Sequence, residues 1–236
     1  MQLVFDIETV GSDFNSLPDS QKEYLLRYAE KELDREIREQ KIDEAIRYLS
    51  LYPFTAKVIA IGLYHTEMEK ALVLYESAND EKNVISDDEH VVYKAQSENE
   101  MLTTFWQYAS KVDRFISFNG RNFDIPFLML RSAIKKIKPS VNFLGNRFDT
   151  SKHIDLLEQF TFYGLIKKFN LDFYCKSFGI ESPKSKGVTG MDVKQLYEAG
   201  RIKEIAVYCG QDIRATFELY KIWDEFLNLK NTSKKS

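Results

Sequence analysis

Leu3-Val4-Phe5-Asp6-Ile7-Glu8-Thr9 opens the chain as a short apolar run interrupted by acids. Residues 3–7 read as a buried strand, and an acid inside a core strand requires a partner. Asp6 and Glu8 are two apart, so on a strand both point to one face, about 6.5–7 Å apart along the chain. Two carboxylates this close repel. Taken alone, such a pair reads as a strand end in water; a divalent cation between them removes the repulsion, and hard Mg²⁺ or Mn²⁺ prefers carboxylate oxygens.

Outward from this strand, residues 19–49 are rich in Glu, Lys and Arg, with Tyr24, Leu25, Tyr28, Leu33, Ile37, Ile42, Ile46 and Leu49 recurring near helical spacing. This predicts one or two amphipathic helices, inserted after the first strand and packed on the main domain. Residues 57–64 (KVIAIGLY) and 71–75 (ALVLY) read as a hairpin around a polar turn at 65–70. Ser97 with Glu100 is a capping-box pattern, opening a helix whose apolar face is Met101, Leu102, Phe105, Trp106 and Ala109. A fourth strand, 114–118 (RFISF), ends at Asn119-Gly120. Asp124 opens another helix with Pro126 in its first turn, turning Phe127, Leu128, Leu130 and Ile134 inward. Short helices at 171–178 and 192–199 end at Gly179 and Gly200, a long helix runs over 202–227, and the polar tail, 231–236, frays. Three strands, then helix, strand, helix and a C-terminal helix predict a mixed sheet flanked by helices, in the α/β class, as one domain over residues 1–230.

The bulk composition limits the alternatives. A chain of 236 residues with 44% hydrophobic and 14% aromatic content buries a substantial core without disulfides or a structural metal. Its two cysteines, Cys175 and Cys209, form no CxxC pair, so neither a zinc site nor a disulfide framework is indicated. No apolar stretch reaches the roughly 18–20 residues needed to cross a bilayer, and the N-terminus lacks a signal-peptide pattern; the expected location is a reducing cytoplasm. A net charge of −3 argues against a broad phosphate-binding surface, though not against an enzyme gripping a few nucleotides.

Two further patterns join the first. Asn119-Gly120-Arg121-Asn122-Phe123-Asp124 lies past the C-terminal end of a strand, where open sheets place ligand sites; as a plain turn, its Asp would N-cap the following helix. Tyr208 and Asp212 are four apart in a helical stretch and share one face. Asp6, Glu8, Asp124 and Asp212 together describe a carboxylate cage for two divalent cations.

These residues resemble the DEDD superfamily of 3′-5′ exonucleases, with FDIET (5–9), NGRNFD (119–124) and YCGQD (208–212) as its three motifs. Tyr208 is similar to the DEDDy branch; the DEDDh branch would have His where Val207 stands. The motif forms look most like the proofreading exonuclease domain of family B DNA polymerases and its stand-alone bacterial relatives, and 236 residues leave no room for a polymerase. The resemblance implies a ribonuclease H-like fold and hydrolysis with two divalent cations, Mg²⁺ or Mn²⁺. It implies that Asp6 bridges both ions, Glu8 and Asp212 complete the nucleophile-side site, Asp124 holds the second ion, and Tyr208 orients the attacking water. It further implies substrate contacts from Thr9, Asn119 and Phe123, the last by stacking or else as core, and from Lys186 or its neighbour Lys184. His153 reads as a polar residue at a strand or loop edge. The implied partner is nucleic acid with a free 3′ end, expected to be single-stranded DNA in a repair setting. The competing readings are a 3′-5′ exoribonuclease, a non-catalytic nucleic-acid-binding protein retaining the fold, and a metal-free carboxylate enzyme such as a glycosidase.

Overall fold

A computed structural model describes residues 1–77, 84–86, 89–182, 190 and 192–229. The first strand, β1 (Gln2–Gly11), lies inside a seven-stranded mixed sheet with β2 (Ala56–His65), β3 (Lys70–Glu76), β4 (Val84–Ile85), β5 (Val91–Gln96), β6 (Arg114–Ser117) and β7 (His153–Asp155). The order across it is β4-β5-β3-β2-β1-β6-β7. β1 runs antiparallel to β2 and parallel to β6, and β6 runs parallel to β7. The C-terminal ends of β1, β6 and β7 therefore share one edge of the sheet, where a parallel arrangement leaves ligand-accessible loops.

The period of two along β1 separates two cores. Leu3, Phe5 and Ile7 face a layer built from α3 (Glu98–Ala109) and α4 (Asp124–Ile134), packing with Phe105, Phe115 and Phe127. Val4, and with it Asp6 and Glu8, face the opposite layer, where α8 (Ile202–Ile222) lies with Cys209 and Ile213 buried against the sheet. A further turn of π-helix, Trp223–Leu227, follows α8. No described helix is long and apolar enough to cross a membrane.

The capping box at Ser97 is formed: the Ser97 backbone N–H donates to Glu100 Oε2 at 2.8 Å and the Glu100 N–H to Ser97 Oγ at 3.4 Å. The hairpin of β2 and β3 and the positive-φ glycines Gly179 and Gly200 also match the sequence reading.

Four expectations need correction. Two strands, β4 and β5, precede α3 where the sequence reading had none. Every residue of β5 is only half-buried, so the alternation that marks a strand is blurred. In α4, Leu130 and Ile134 are exposed rather than inward, because the buried stripe runs through Ile125, Leu128, Arg131 and Ser132. The inserted helices, α1 (Asp19–Leu26) and α2 (Arg35–Arg47), bury no residue at all, leaving Tyr24, Tyr28, Leu33 and Ile37 exposed. They are tied to the sheet near Leu49, which is buried, and Ser50, whose carbonyl accepts the Thr9 hydroxyl at 2.7 Å. Finally, Asp124 opens α4 as the sequence indicates, but the alternative reading of it as the N-cap does not hold; the capping position is Phe123, which makes no side-chain capping bond. The polar tail, together with Lys184 and Lys186, lies outside the described residues.

Candidate metal centre

Asp6, Glu8 and Asp212 each present a carboxylate oxygen within 4.8 Å of the others. The strand period supplies the first two; the third arrives because α8 lies very close to the sheet. That approach depends on Gly62, the β2 partner of Asp6. A Cβ there would meet Ile213 Cγ2 at 2.8 Å and Cys209 Sγ at 3.0 Å, so any larger residue lifts the helix that carries Tyr208 and Asp212. A register shift in the β1–β2 pairing falls between Glu8 and Thr9, an irregularity of the kind that re-aims side chains at sites.

Asp124 reaches the same place from the other layer. Pairing of β1 with β6 stops at Val4↔Ile116, so the Ile7 N–H has no strand partner on that side and donates instead to Asp124 Oδ1 at 3.0 Å. The preceding loop is bent tightly, with Asn119 at φ 64°. Gly120 is required next to it, since a Cβ would sit 2.3 Å from Ser117 Oγ and 3.4 Å from Asp124 Oδ2. The loop is braced by Asp155, whose carboxylate accepts the Asn119 N–H at 3.0 Å and the Arg121 N–H at 2.9 Å while capping α5 (Leu156–Phe160) through the Leu157 N–H. Asp155 was not singled out from the sequence; the signal was present in HIDL (153–156), an Asp immediately before an apolar helical run.

Electrostatically this is a concentration of negative charge withheld from water. Burial first, then the charges of Asp124, Asp212 and Glu8, push the Asp6 carboxyl well above the usual carboxylate range. Burial, Asp212 and Asp124 do the same to Glu8. Asp124 is raised to about 7 by burial, against the lowering effect of backbone hydrogen bonds such as that from Ile7. Burial, followed by Asp212, Glu8 and Asp6, raises the Tyr208 hydroxyl, which therefore stays protonated and hydrogen-bonds Asp212. Among the described residues no Lys or Arg forms an ion pair with Asp6, Glu8 or Asp124. A hard divalent cation is the group that suits carboxylate donors of this kind, half-buried Asp6 with buried Glu8, Asp124 and Asp212.

The remaining expected residues fall around this centre. Phe123 is half-buried and its ring lies 5.5 Å from that of Phe127. Asn119 accepts a hydrogen bond from Asn122 Nδ2 at 3.0 Å. His153 is no ligand: it is buried in β7, hydrogen-bonded to Ser117 Oγ at 2.8 Å, and burial lowers its pKa to about 3. Cys209 and Cys175 are both buried and free. A cavity of about 520 Å³ borders α8 through Val207, Gly210, Gln211 and Arg214 and includes none of the four carboxylates.

Residues 55–228 match the family model described as "Predicted 3′-5′ exonuclease related to the exonuclease domain of PolB". The chain belongs to this family. It is a PolB-exonuclease-like chain with the ribonuclease H-like α/β architecture, and Asp124, Tyr208 and Asp212 lie within the matched span whereas Asp6 and Glu8 precede it. A DNA polymerase of Desulfurococcus sp. (strain Tok) is 28% identical over 231 residues, covering 84% of this chain and 28% of that protein. The family B DNA polymerase from the hyperthermophilic archaeon Pyrobaculum calidifontis shares the fold with a TM-score of 0.57 at 16% identity, covering 94% of this chain and 24% of that one. The chain thus spans about a quarter of the length of these relatives.

Proposed function

We propose that this PolB-like exonuclease chain hydrolyses single-stranded DNA from its 3′ end in the DEDDy manner, releasing nucleoside monophosphates with the help of two divalent cations, Mg²⁺ or Mn²⁺. The observation that carries the reading is the convergence of Asp6, Glu8 and Asp212 within 4.8 Å beneath the Tyr208 hydroxyl. Asp6, Glu8, Asp124 and Asp212 would hold the cations. When bound, the pair supplies an activated water and charge stabilisation at the departing 3′-oxygen.

The chain's own residues do the positioning. Tyr208, protonated because burial and three nearby acids disfavour its anion, orients the attacking water by hydrogen bonding and does not abstract its proton. Asp124 is fixed by Ile7 N–H, and its loop by Asp155, so the second cation's ligand is set by the backbone of β1 itself. Thr9, Asn119, Phe123 and Lys186 contact the terminal nucleotides. DNA is preferred to RNA in this reading because the matched relatives are named as DNA polymerases.

A digestion panel of 5′-labelled DNA and RNA, single- and double-stranded, with Mg²⁺, Mn²⁺ or chelator tests this. A metal-dependent ladder shortening from the 3′ end of single-stranded DNA is expected. Cleavage that persists in chelator, or a ladder on RNA alone, contradicts the proposal.

A further inference from the structure

Helix α6 (Leu171–Ser177) joins the two halves of the metal centre. Its Tyr174 ring packs edge-on to Phe118, the residue before Asn119, at 5.6 Å. Its buried Cys175 is close enough to Asp212 for that charge to raise the thiol pKa, though burial is the larger cause. At the start of the same helix, Phe169, just before the cap Asn170, and Phe173 stack face to face at 4.0 Å between centroids and 9° between planes. Both are exposed, at 36% and 49%. Phe169 also lies edge-on to Tyr174 at 6.4 Å, so an unbroken line of rings leads from the Asn119 loop to the surface pair.

The part of this stacked pair that faces water does not stabilise the fold, since that area contributes only when covered. Its surroundings indicate what covers it. The acids of this segment are engaged elsewhere: Glu158 pairs with Arg147 at 2.6 Å, Asp155 caps α5, and Asp172 pairs with Lys176 at 3.0 Å. Exposed Lys167 and Lys168 precede the pair, with Lys167 Nζ 5.3 Å from the Phe169 ring. Exposed aromatic rings beside lysines are a combination that grips single-stranded nucleic acid, a ring stacking a base of any sequence and the ammonium groups meeting phosphates.

We propose that Phe169 and Phe173 form a stacking ledge for single-stranded DNA upstream of the scissile bond, with Lys167 and Lys168 on its backbone. This rests on the exonuclease reading and adds to it a strand path outside the catalytic motifs. The ledge explains how a chain of net charge −3 holds its substrate: affinity comes from stacking at one place and not from a broad basic surface.

The test compares Phe169→Ala and Phe173→Ala with Phe173→Trp, using a dodecamer and a dinucleotide of DNA as substrates and fluorescence anisotropy of the labelled dodecamer for binding. The ratio of kcat/KM on dodecamer to that on dinucleotide is expected to fall roughly 10-fold in each alanine variant, through KM, as loss of one base stack predicts. Phe173→Trp is expected to keep the parent ratio. An equal loss on both substrates, or an unchanged ratio, overturns the ledge while leaving the exonuclease reading intact. A parent that binds the dodecamer through this pair without hydrolysing it retains the ledge and sinks the activity. A parent that neither binds nor hydrolyses overturns both.

Discussion

Replacing Asp6 with Asn should stabilise the metal-free protein while removing its response to divalent cations. Asn keeps the shape and polarity of the side chain and deletes one charge from a group whose oxygens lie within 4.8 Å of each other. Two full charges at that separation repel by about 3.5 kcal/mol at an effective dielectric of about 20. Burial first, and this repulsion after it, raise Asp6 and Glu8 and favour proton uptake, so the gain realised at pH 8 in chelator is expected to be about 1–3 kcal/mol. For a domain of this size that corresponds to a Tm increase of roughly 2–4 °C per kcal/mol. The parent should gain about 2.7 kcal/mol from Mg²⁺ at 100 times its Kd, and Asp6→Asn almost none. Thermal melts of both proteins in chelator and across a Mg²⁺ series check this. An Asn variant that melts below the parent in chelator, or that responds to Mg²⁺ as the parent does, shows that Asp6 is an ordinary strand-end acid.

Three other outcomes follow from the same geometry. The folded-state pKa of Asp124, about 7, lies above its ordinary value of 3.8, so its contribution to metal-free stability is complete below about 3.8 and is lost as pH rises through about 7. The stability difference between parent and Asp124→Asn in chelator should therefore shift against the parent over that window, a trend that denaturation midpoints from pH 4 to 8 would reveal. Gly62→Ala forces the new methyl against Ile213 and Cys209; a loss of about 1–3 kcal/mol is expected, with a larger fall in activity because α8 carries Tyr208 and Asp212. Adding Ile213→Ala should recover metal-dependent activity in part, and its failure to do so would show that close packing at Gly62 does not set the site. Asp155→Ala removes the brace of residues 119–121 and should weaken divalent-ion affinity by roughly 10–100-fold, as loss of an outer-sphere support does; calorimetric titration with Mn²⁺ measures it, and unaltered affinity argues that the loop holds itself.

How much of this was legible in the sequence depends on which physical signal each feature carries. Asp6 and Glu8 declared themselves because a strand's period of two fixes a common face regardless of what packs on it, and Tyr208 and Asp212 because a helix does the same at a spacing of four. The α3 cap was equally local. What was not legible was set by distant neighbours. Leu130 and Ile134 are as apolar as Leu128, and the placement of α3 and the sheet decides which stripe of α4 is covered. The inserted helices have an amphipathic pattern, yet Tyr24, covered in part by the Arg27 guanidinium 3.6 Å above its ring, and Ile37 stay exposed. β5 takes its strand conformation from pairing with β3 along its whole length, a contact that leaves little alternation to read. Asp155 shows the remaining gap: HIDL marks it as a helix cap, but its bracing of the 119–121 loop comes from hydrogen bonds to backbone 34 and 36 residues away, which no local spacing encodes.

The central claim is that Asp6, Glu8, Asp124 and Asp212 hold catalytic divalent cations. Anomalous diffraction from crystals soaked in Mn²⁺ addresses it most directly. The account predicts a strong peak within coordination distance of Asp6, Glu8 and Asp212, a second shared by Asp6 and Asp124 when a nucleotide is present, and neither in Asp6→Asn. Mn²⁺ bound only elsewhere, or unchanged peaks in that variant, would contradict it.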